Sequence, residues 1–222
     1  MAPAPRDPGI SDAGKWNERY ARDSMTPFPA QPAEWLVEHR SLLEALPAGG
    51  PALDVACGDG RNARYLAELG FDVDAVDISD VLVERLAEAA GRLSLSVSPR
   101  VVDLESAMTF PAHEYAVIVN FNFLQRSLFG GLARALRPGG LLVFETFARP
   151  HVDELANDFR AEFMLDENEL LGAFAGLHVC HYFEGVAERS GKPRGVAGLV
   201  ARQRGFSPGR EIHDPESPHT PA

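Results

Sequence analysis

The chain is poor in cysteine. Cys57 and Cys180 are the only two in 222 residues, too few for a disulfide framework or for a zinc site closed by thiolates. Both read as reduced, buried thiols. No apolar run approaches the roughly 20 residues that cross a bilayer, so no membrane partner is expected. The opening "MAPAPRDPGI" lacks the basic and apolar parts of a signal peptide, and a cytoplasmic location is expected. Positive charge is scarce as well: Lys and Arg number 21 against 32 Asp and Glu, a formal net charge of -11. Such a field repels phosphate backbones unless a local basic patch compensates, which counts against nucleic acid as a partner. No internal repeat is visible.

What is present is the make-up of an ordinary globular domain, 45% hydrophobic and 24% charged, in a chain short enough for one domain. Residues 1–13 and 205–222 are rich in Pro, Gly and Ser. They lack the apolar side chains that would offset the entropy of ordering them, and read as loose tails flanking a domain over 14–204. "PAEWLVEHRSLLEALPAGG" sets Trp35, His39, Leu42, Leu43 and Leu46 at helical spacing between Pro32 and Pro47, as one amphipathic helix.

An alternation follows: strand 52–57, helix 61–69 closed by Gly70, strand 72–77, helix 80–92 started by Ser79. Strands are expected near 97–103, 115–121 and 141–147. A helix over 126–137 stacks Leu128, Leu132 and Leu136 and stops at "RPGG"; a second, over 166–175, opens on the capping pair Asp166 and Glu169 and ends at Gly176. Apolar strands alternating with helices mark a parallel sheet covered on both faces. The last two strand-like runs, "LHVCHYFEGV" and "GVAGLVARQR", are separated by the hairpin-length "AERSGKPR" and should pair antiparallel. The expected fold is therefore α/β: a doubly wound, mostly parallel, seven-stranded sheet with an antiparallel hairpin at its C-terminal edge.

In such a sheet the ligand crevice lies beyond the carboxyl ends of the strands, where the strand order reverses. That rim carries Cys57–Asn62, Asp77–Ser79, Asp103–Glu105, Asn120–Phe123 and Glu145–Phe147. In "LDVACGDGRNARYLAELGFDVDAVDIS", Gly58 and Gly60 permit a tight turn and close approach of a ligand to the backbone. Asp77 follows Gly58 at about the spacing from which a carboxylate accepts from both hydroxyls of a ribose. Its other reading is a strand-end residue opening a turn. Asp54 and Asp59 sit beside the turn, where a pyrophosphate would be repelled and an ammonium welcomed. The ligand is read as a nucleoside at one end and a cation at the other.

"LDVACGDGRN" resembles motif I of the class I S-adenosylmethionine-dependent methyltransferases, in which an acidic residue precedes a GxGxG turn by two. Here the first glycine is replaced by Ala56, whose backbone is expected to stay in a conformation open to a side chain. "DIS", "VVDLE" and "LRPGGLLVFE" resemble the family's later motifs. The "W..RY" opening, "GRN" and "RVVDL" resemble its tellurite-resistance-type branch. The likeness runs over about residues 14–204. It implies S-adenosylmethionine as cofactor, with Asp77 on the ribose, Asp103 on the adenine amino group and Leu104 supplying a backbone donor. Asp54, Gly58, Gly60, Arg61 and Asn62 would hold the methionine portion, and Ala56, Ile78 and Asn120 complete the surroundings. Trp16 and Tyr20, one helical turn apart, serve as a lid over the cofactor or as aromatic anchors on the sheet.

The sixth strand should run parallel to the others, so the hairpin turn opens on the same rim and brings Arg189, Lys192 and Arg194 to the substrate side. The two arginines are read as an anion clamp or a solvated tip. The branch has a basic pair here too, but Glu188 replaces its histidine. His151, shortly after the fifth strand, and Glu145 are candidates for proton handling. His39, His178 and His181 read as structural. The resulting expectation is methyl transfer to a small, anionic molecule, a chalcogen oxyanion included. The alternatives are a protein that holds the cofactor without transfer, and a nicotinamide-dependent oxidoreductase.

Overall fold

The computed structural model describes residues 14, 17, 31–106, 109–149 and 161–205. Both expected tails fall almost wholly outside that set, as do Trp16, Tyr20 and His151. Seven strands form one sheet in the order β3-β2-β1-β4-β5-β7-β6. β1 (Pro51–Val55) lies between β2 (Asp72–Asp77) and β4 (Tyr115–Phe121), and β3 (Val97–Val101) forms one edge. β5 (Leu136–Phe147) continues the parallel set. β7 (Lys192–Arg202) is antiparallel to both β5 and β6 (His178–Arg189), which leaves β6 parallel to β5. The doubly wound sheet with an antiparallel edge hairpin is thus observed, and the strand order reverses between β1 and β4.

The central strands are apolar on both faces because both are covered. On β5, Leu142 and Phe144 face one layer, where Phe144 meets Phe129 of α5 (Phe129–Ala135) and Phe174 with ring centroids 5.8 and 5.9 Å apart. Leu141 and Val143 face the other layer with Leu66 of α3 (Arg61–Glu68) and Leu86 of α4 (Asp80–Leu93). Ser79 caps α4 as its sequence suggests, accepting the Leu82 N–H at 3.3 Å.

Four local expectations are corrected. The first amphipathic helix is two, α1 (Glu34–Glu38) and α2 (Arg40–Glu44), broken at His39. The His39 imidazole Nδ1 lies 2.8 Å from the Trp35 carbonyl, occupying the acceptor that the helix would use. The helix over 126–137 is a 3-10 turn at Arg126–Leu128 followed by α5, and "RPGG" belongs to β5 instead of ending a helix. It is drawn into the sheet by the chain's far end: Gly139 N–H donates to the Gln203 carbonyl, and Gln203 N–H to that of Gly140, at 3.0 and 2.8 Å. The helix over 166–175 shrinks to α6 (Glu169–Ala173), because Asn168 before it is left-handed with φ 57°. Half of the expected capping box survives, the Asp166 N–H donating to Glu169 at 2.9 Å. The first and third strands stop at Val55 and Val101, two residues short of the expected 57 and 103.

Trp35 anchors α1 to the sheet. Its indole lies over Gly198 of β7, where an added Cβ would stand 2.8 Å from the ring. Buried His39 meets Trp35 edge-on and His181 at a tilt, at centroid distances of 4.3 and 4.5 Å. Burial holds the His39 imidazole below its usual 6.5. Gly198→Ala should force Trp35 off β7 and cost about 1–3 kcal/mol in urea unfolding. The His39 contribution to stability is present above the unfolded value of 6.5 and lost as pH falls through the lowered folded value. Melting temperature should drop on acidification in that window, and His39→Gln should flatten the drop.

Candidate active site

The carboxyl ends of β1, β2 and β4 open onto a cleft of about 300 Å³. Its walls are the turn after β1 (Ala56, Cys57, Gly58, Asp59, Arg61, Asn62), the end of β2 (Asp77, Ile78), the segment after β3 (Val102–Glu105), the turn after β4 (Phe121–Phe123) and Ser190 from the hairpin tip. A topological switch point places it there, between strands whose following helices leave to opposite faces.

Asp77 joins two of these walls. One carboxylate oxygen accepts the Gly58 N–H at 2.8 Å, the other the Ser79 N–H at 2.9 Å, and the residue is 7% exposed. Each oxygen has a second lone pair, so the carboxylate can hold the turn and still accept two further hydrogen bonds. Both readings of Asp77, turn former and ligand acceptor, are therefore compatible in one geometry. Val102 N–H donates to the Asp77 carbonyl at 2.8 Å, which fixes the third wall to the second.

The turn itself is strained where the family's glycine is missing. Ala56 has φ 53°, so the expectation that its backbone stays in a region open to side chains is corrected. The Cys57 N–H is held by the Val76 carbonyl at 2.9 Å, and that bond carries the turn through the left-handed residue. Gly58, at φ 56°, has open space around it and faces the cleft. Gly60, at φ 75°, does not line the cleft: a side chain there would overlap Leu86, so this glycine lets α3 pack against α4. Burial pushes the Cys57 thiol far up, which suits an apolar filler and not a nucleophile.

Asp54 lies beneath the turn, 1% exposed, and does not line the cleft. Its Oδ2 is buried without a hydrogen-bond partner. Burial pushes the carboxyl up to about 8, only partly countered by the Ala63 amide. Asp59, on the cleft wall, is also raised by burial. Asn62 does two things, lining the cleft and accepting the Ala33 N–H at 2.9 Å just before α1. Asp103, an exposed residue, accepts the Glu105 N–H at 2.9 Å in a side-chain turn beside buried Leu104. Asn120 is buried behind the wall, its Nδ2 donating to the Phe123 carbonyl at 2.8 Å. It shapes the turn after β4 and is not among the lining residues.

The hairpin turn opens on the cleft rim, as its parallel sixth strand requires, but Arg189 is already engaged. Its guanidinium forks onto Glu145, Nε at 2.9 Å and Nη2 at 2.7 Å, with Glu38 at 3.7 Å. Glu145 is 4% exposed, its carboxyl raised by burial and lowered by Arg189. The arrangement is a buried ion pair, so Arg189 does not stand as the unengaged half of an anion clamp, nor Glu145 as an unengaged base. Arg194 faces Ala187 across the hairpin ladder, two residues inside the tip. Phe121 and Phe123 line the cleft within the Asn120–Phe123 segment that the sequence placed on the rim without giving them a role, whereas Ser190 was not named at all. The aromatic pair is signalled by its position at the end of β4, whereas nothing in the local sequence of Ser190 announces it.

A methyltransferase-domain family model matches residues 30–185, and the chain belongs to this family of class I S-adenosylmethionine-dependent proteins. Among curated relatives it is 27% identical over 157 residues to the "Probable S-adenosyl-L-methionine-dependent methyltransferase TehB" of Haemophilus influenzae, covering 68% of this chain and 54% of the relative. It is 31% identical over 144 residues to the S-adenosyl-L-methionine-dependent Diels-Alderase iccD of Talaromyces variabilis, covering 60% of this chain and 49% of the relative. The chain thus spans about half the length of these curated relatives. In fold it is similar to the crystal structure of Haemophilus influenzae TehB, with TM-score 0.63, 20% identity, and coverage of 85% of this chain and 67% of that one. It is also similar to the [4+2]-cyclase SpnF, with TM-score 0.67, 17% identity, and coverage of 88% and 97%.

Ala56→Gly removes a left-handed penalty of roughly 1–2 kcal/mol and adds back roughly 0.5–1 kcal/mol of unfolded-chain entropy. A raised urea midpoint is the expected result; a lowered one would contradict the strain assigned to this turn.

Proposed function

We propose that this cleft binds S-adenosylmethionine and that the protein transfers its methyl group to a small molecule. The observation that carries the proposal is the buried, unpartnered Oδ2 of Asp54 beneath a glycine turn whose visible wall is itself acidic. A carboxyl at that depth with one oxygen unpartnered is costly unless a cation is to be met, and from beneath the turn Asp54 would meet it through a bridging water. The ammonium of the cofactor's methionine portion is such a cation, and a pyrophosphate is not, which weighs against a nicotinamide dinucleotide. Asp77 would take the ribose hydroxyls and Asp103 the adenine amino group, with Leu104, Ile78 and Phe123 offering apolar surface to the base. Gly58, Arg61 and Asn62 would border the methionine portion.

When bound, the cofactor supplies a methyl group on a sulfonium. The protein's part is to align an acceptor with that group and exclude water, and proximity alone is worth several kcal/mol. A strong base is optional in such chemistry. We read the acceptor as a small anion, a chalcogen oxyanion included. The likeness to the tellurite-resistance-type branch supports this, as does the placing of Lys192 and Arg194 next to the hairpin tip. Arg189 contributes less to it than its sequence position suggests, since carboxylates already share its charge.

A second reading has an observation in its favour. Two of the proteins this chain is similar to are named a Diels-Alderase and a [4+2]-cyclase, so proteins named for a reaction other than methyl transfer are among those it resembles. Incubation with methyl-labelled S-adenosylmethionine and a metabolite panel that includes tellurite and selenite separates the two. Label in an anionic product is expected. Cofactor binding with no label anywhere would favour the second reading, and absence of binding would remove both.

Two measurements on S-adenosylhomocysteine test the residue roles. Asp77→Asn should weaken calorimetric affinity by about 1.5 to 3 kcal/mol, the worth of charge-assisted hydrogen bonds; unchanged affinity would remove the ribose role. Asp54 must ionise to meet the ammonium, so below its value of about 8 binding has to expel a proton. Affinity should therefore fall as pH is lowered from 8 to 6, and Asp54→Asn should flatten that dependence.

A further inference from the structure

The turn between β6 and β7 has two residues, Ser190 and Gly191, with φ 53° and 71°. Two successive left-handed residues form the hairpin turn whose twist matches the flanking strands. Gly191 adopts this freely, whereas Ser190 carries a side chain in a region that penalises one. Ser190 is also the hairpin's contribution to the cleft lining.

Two sets of contacts from outside the hairpin hold the turn in place. Glu34 of α1 accepts the Ser190 N–H at 2.7 Å. The neighbouring Arg189 is bound to Glu145 on β5 by the fork described above, and its Nη1 donates to the Glu188 carbonyl at 3.0 Å. The Arg189 side chain is 15% exposed and that of Glu145 is 6% exposed. Separating two charges at that depth leaves Glu145 without its cation and Arg189 with only the more distant Glu38 carboxylate, which is strongly unfavourable. An anion at Arg189 would have to share the guanidinium with Glu145, and a proton on Glu145 would weaken the pair.

We infer that Arg189, Glu145 and Glu34 are positioning residues: the Arg189–Glu145 pair and the Glu34–Ser190 bond hold the β6–β7 turn as a fixed wall of the cleft, opposite the glycine turn. This rests on the cleft being the cofactor site. With the wall fixed, Ser190 narrows the opening beside Asn122 and Phe123, and a molecule bound in the cleft leaves slowly. With either contact removed, the left-handed Ser190 loses its support and the tip moves, while the sheet's two apolar layers are untouched.

Hydrogen exchange at residues 186–196 and the dissociation rate of S-adenosylhomocysteine, measured on the same full-length samples, test this. Glu34→Ala, on a partly exposed helix, is expected to speed exchange at the turn by about tenfold, the worth of one charge-assisted hydrogen bond, and to speed dissociation in the same direction. Glu34→Gln keeps an amide oxygen that can accept the Ser190 N–H and should recover part of both effects. Arg189→Lys keeps the charge but loses the fork, and should loosen the turn without shifting exchange in β1 or β4. Unchanged turn exchange in both Glu34→Ala and Arg189→Lys would overturn the inference. So would exchange that rises equally across the whole sheet, because that is the mark of a merely structural loss. If wild-type protein fails to bind S-adenosylhomocysteine, the cofactor reading falls, and the exchange measurements still decide whether the tip is held.

Discussion

One buried carboxylate organises the cleft. Asp77 ends β2 and accepts amide protons from both the glycine turn and the start of α4, so three chain segments are fixed relative to one another by a single side chain. The desolvation cost of an acid at this depth is met by those two amides. Its backbone carbonyl holds the third strand's exit as well. The glycine turn is tied to β2 a second time by the Cys57 N–H on the Val76 carbonyl, and β3 by its ladder to β2, so the walls of the cleft meet at the end of this one strand.

The fold was legible because its signals are local. Apolar runs of five to seven residues, a glycine turn, and serine before the fourth helix each act over a few positions, and strand-helix alternation leaves few topologies. What the sequence concealed was decided at a distance. His39 has good helical spacing, yet its imidazole takes a carbonyl from its own helix. "RPGG" has every local mark of a helix stop, yet residue 203, more than sixty positions on, draws it into a strand.

The site divides in the same way. Asp54, Gly58 and Asp77 announce themselves through spacing, and the structure brings all three to one turn. The clamp offered for Arg189, beside the reading of a solvated tip, rested on charge, rim position and the branch's basic pair, none of which can reveal that Glu145 is bonded to it. Nor could spacing show that Gly60 serves packing while Gly58 serves the cleft: both are left-handed, and only the presence of Leu86 separates them. Trp16, Tyr20 and His151 lie outside the described residues and stay as expectations.

The strand order carries a consequence for how the molecule is assembled. β1 to β4 are contiguous in the chain and close the nucleoside half of the cleft with short crossovers. The opposite half comes from the β6–β7 hairpin, which pairs locally and joins the sheet by laying β7 along β5, and the bond from Ser190 to Glu34 spans 156 positions. Closing a loop of that length costs chain entropy that must be met by the contacts it brings together. The cleft is accordingly walled on one side by short-range turns of the first four strands and on the other by a hairpin fastened to the start of the domain.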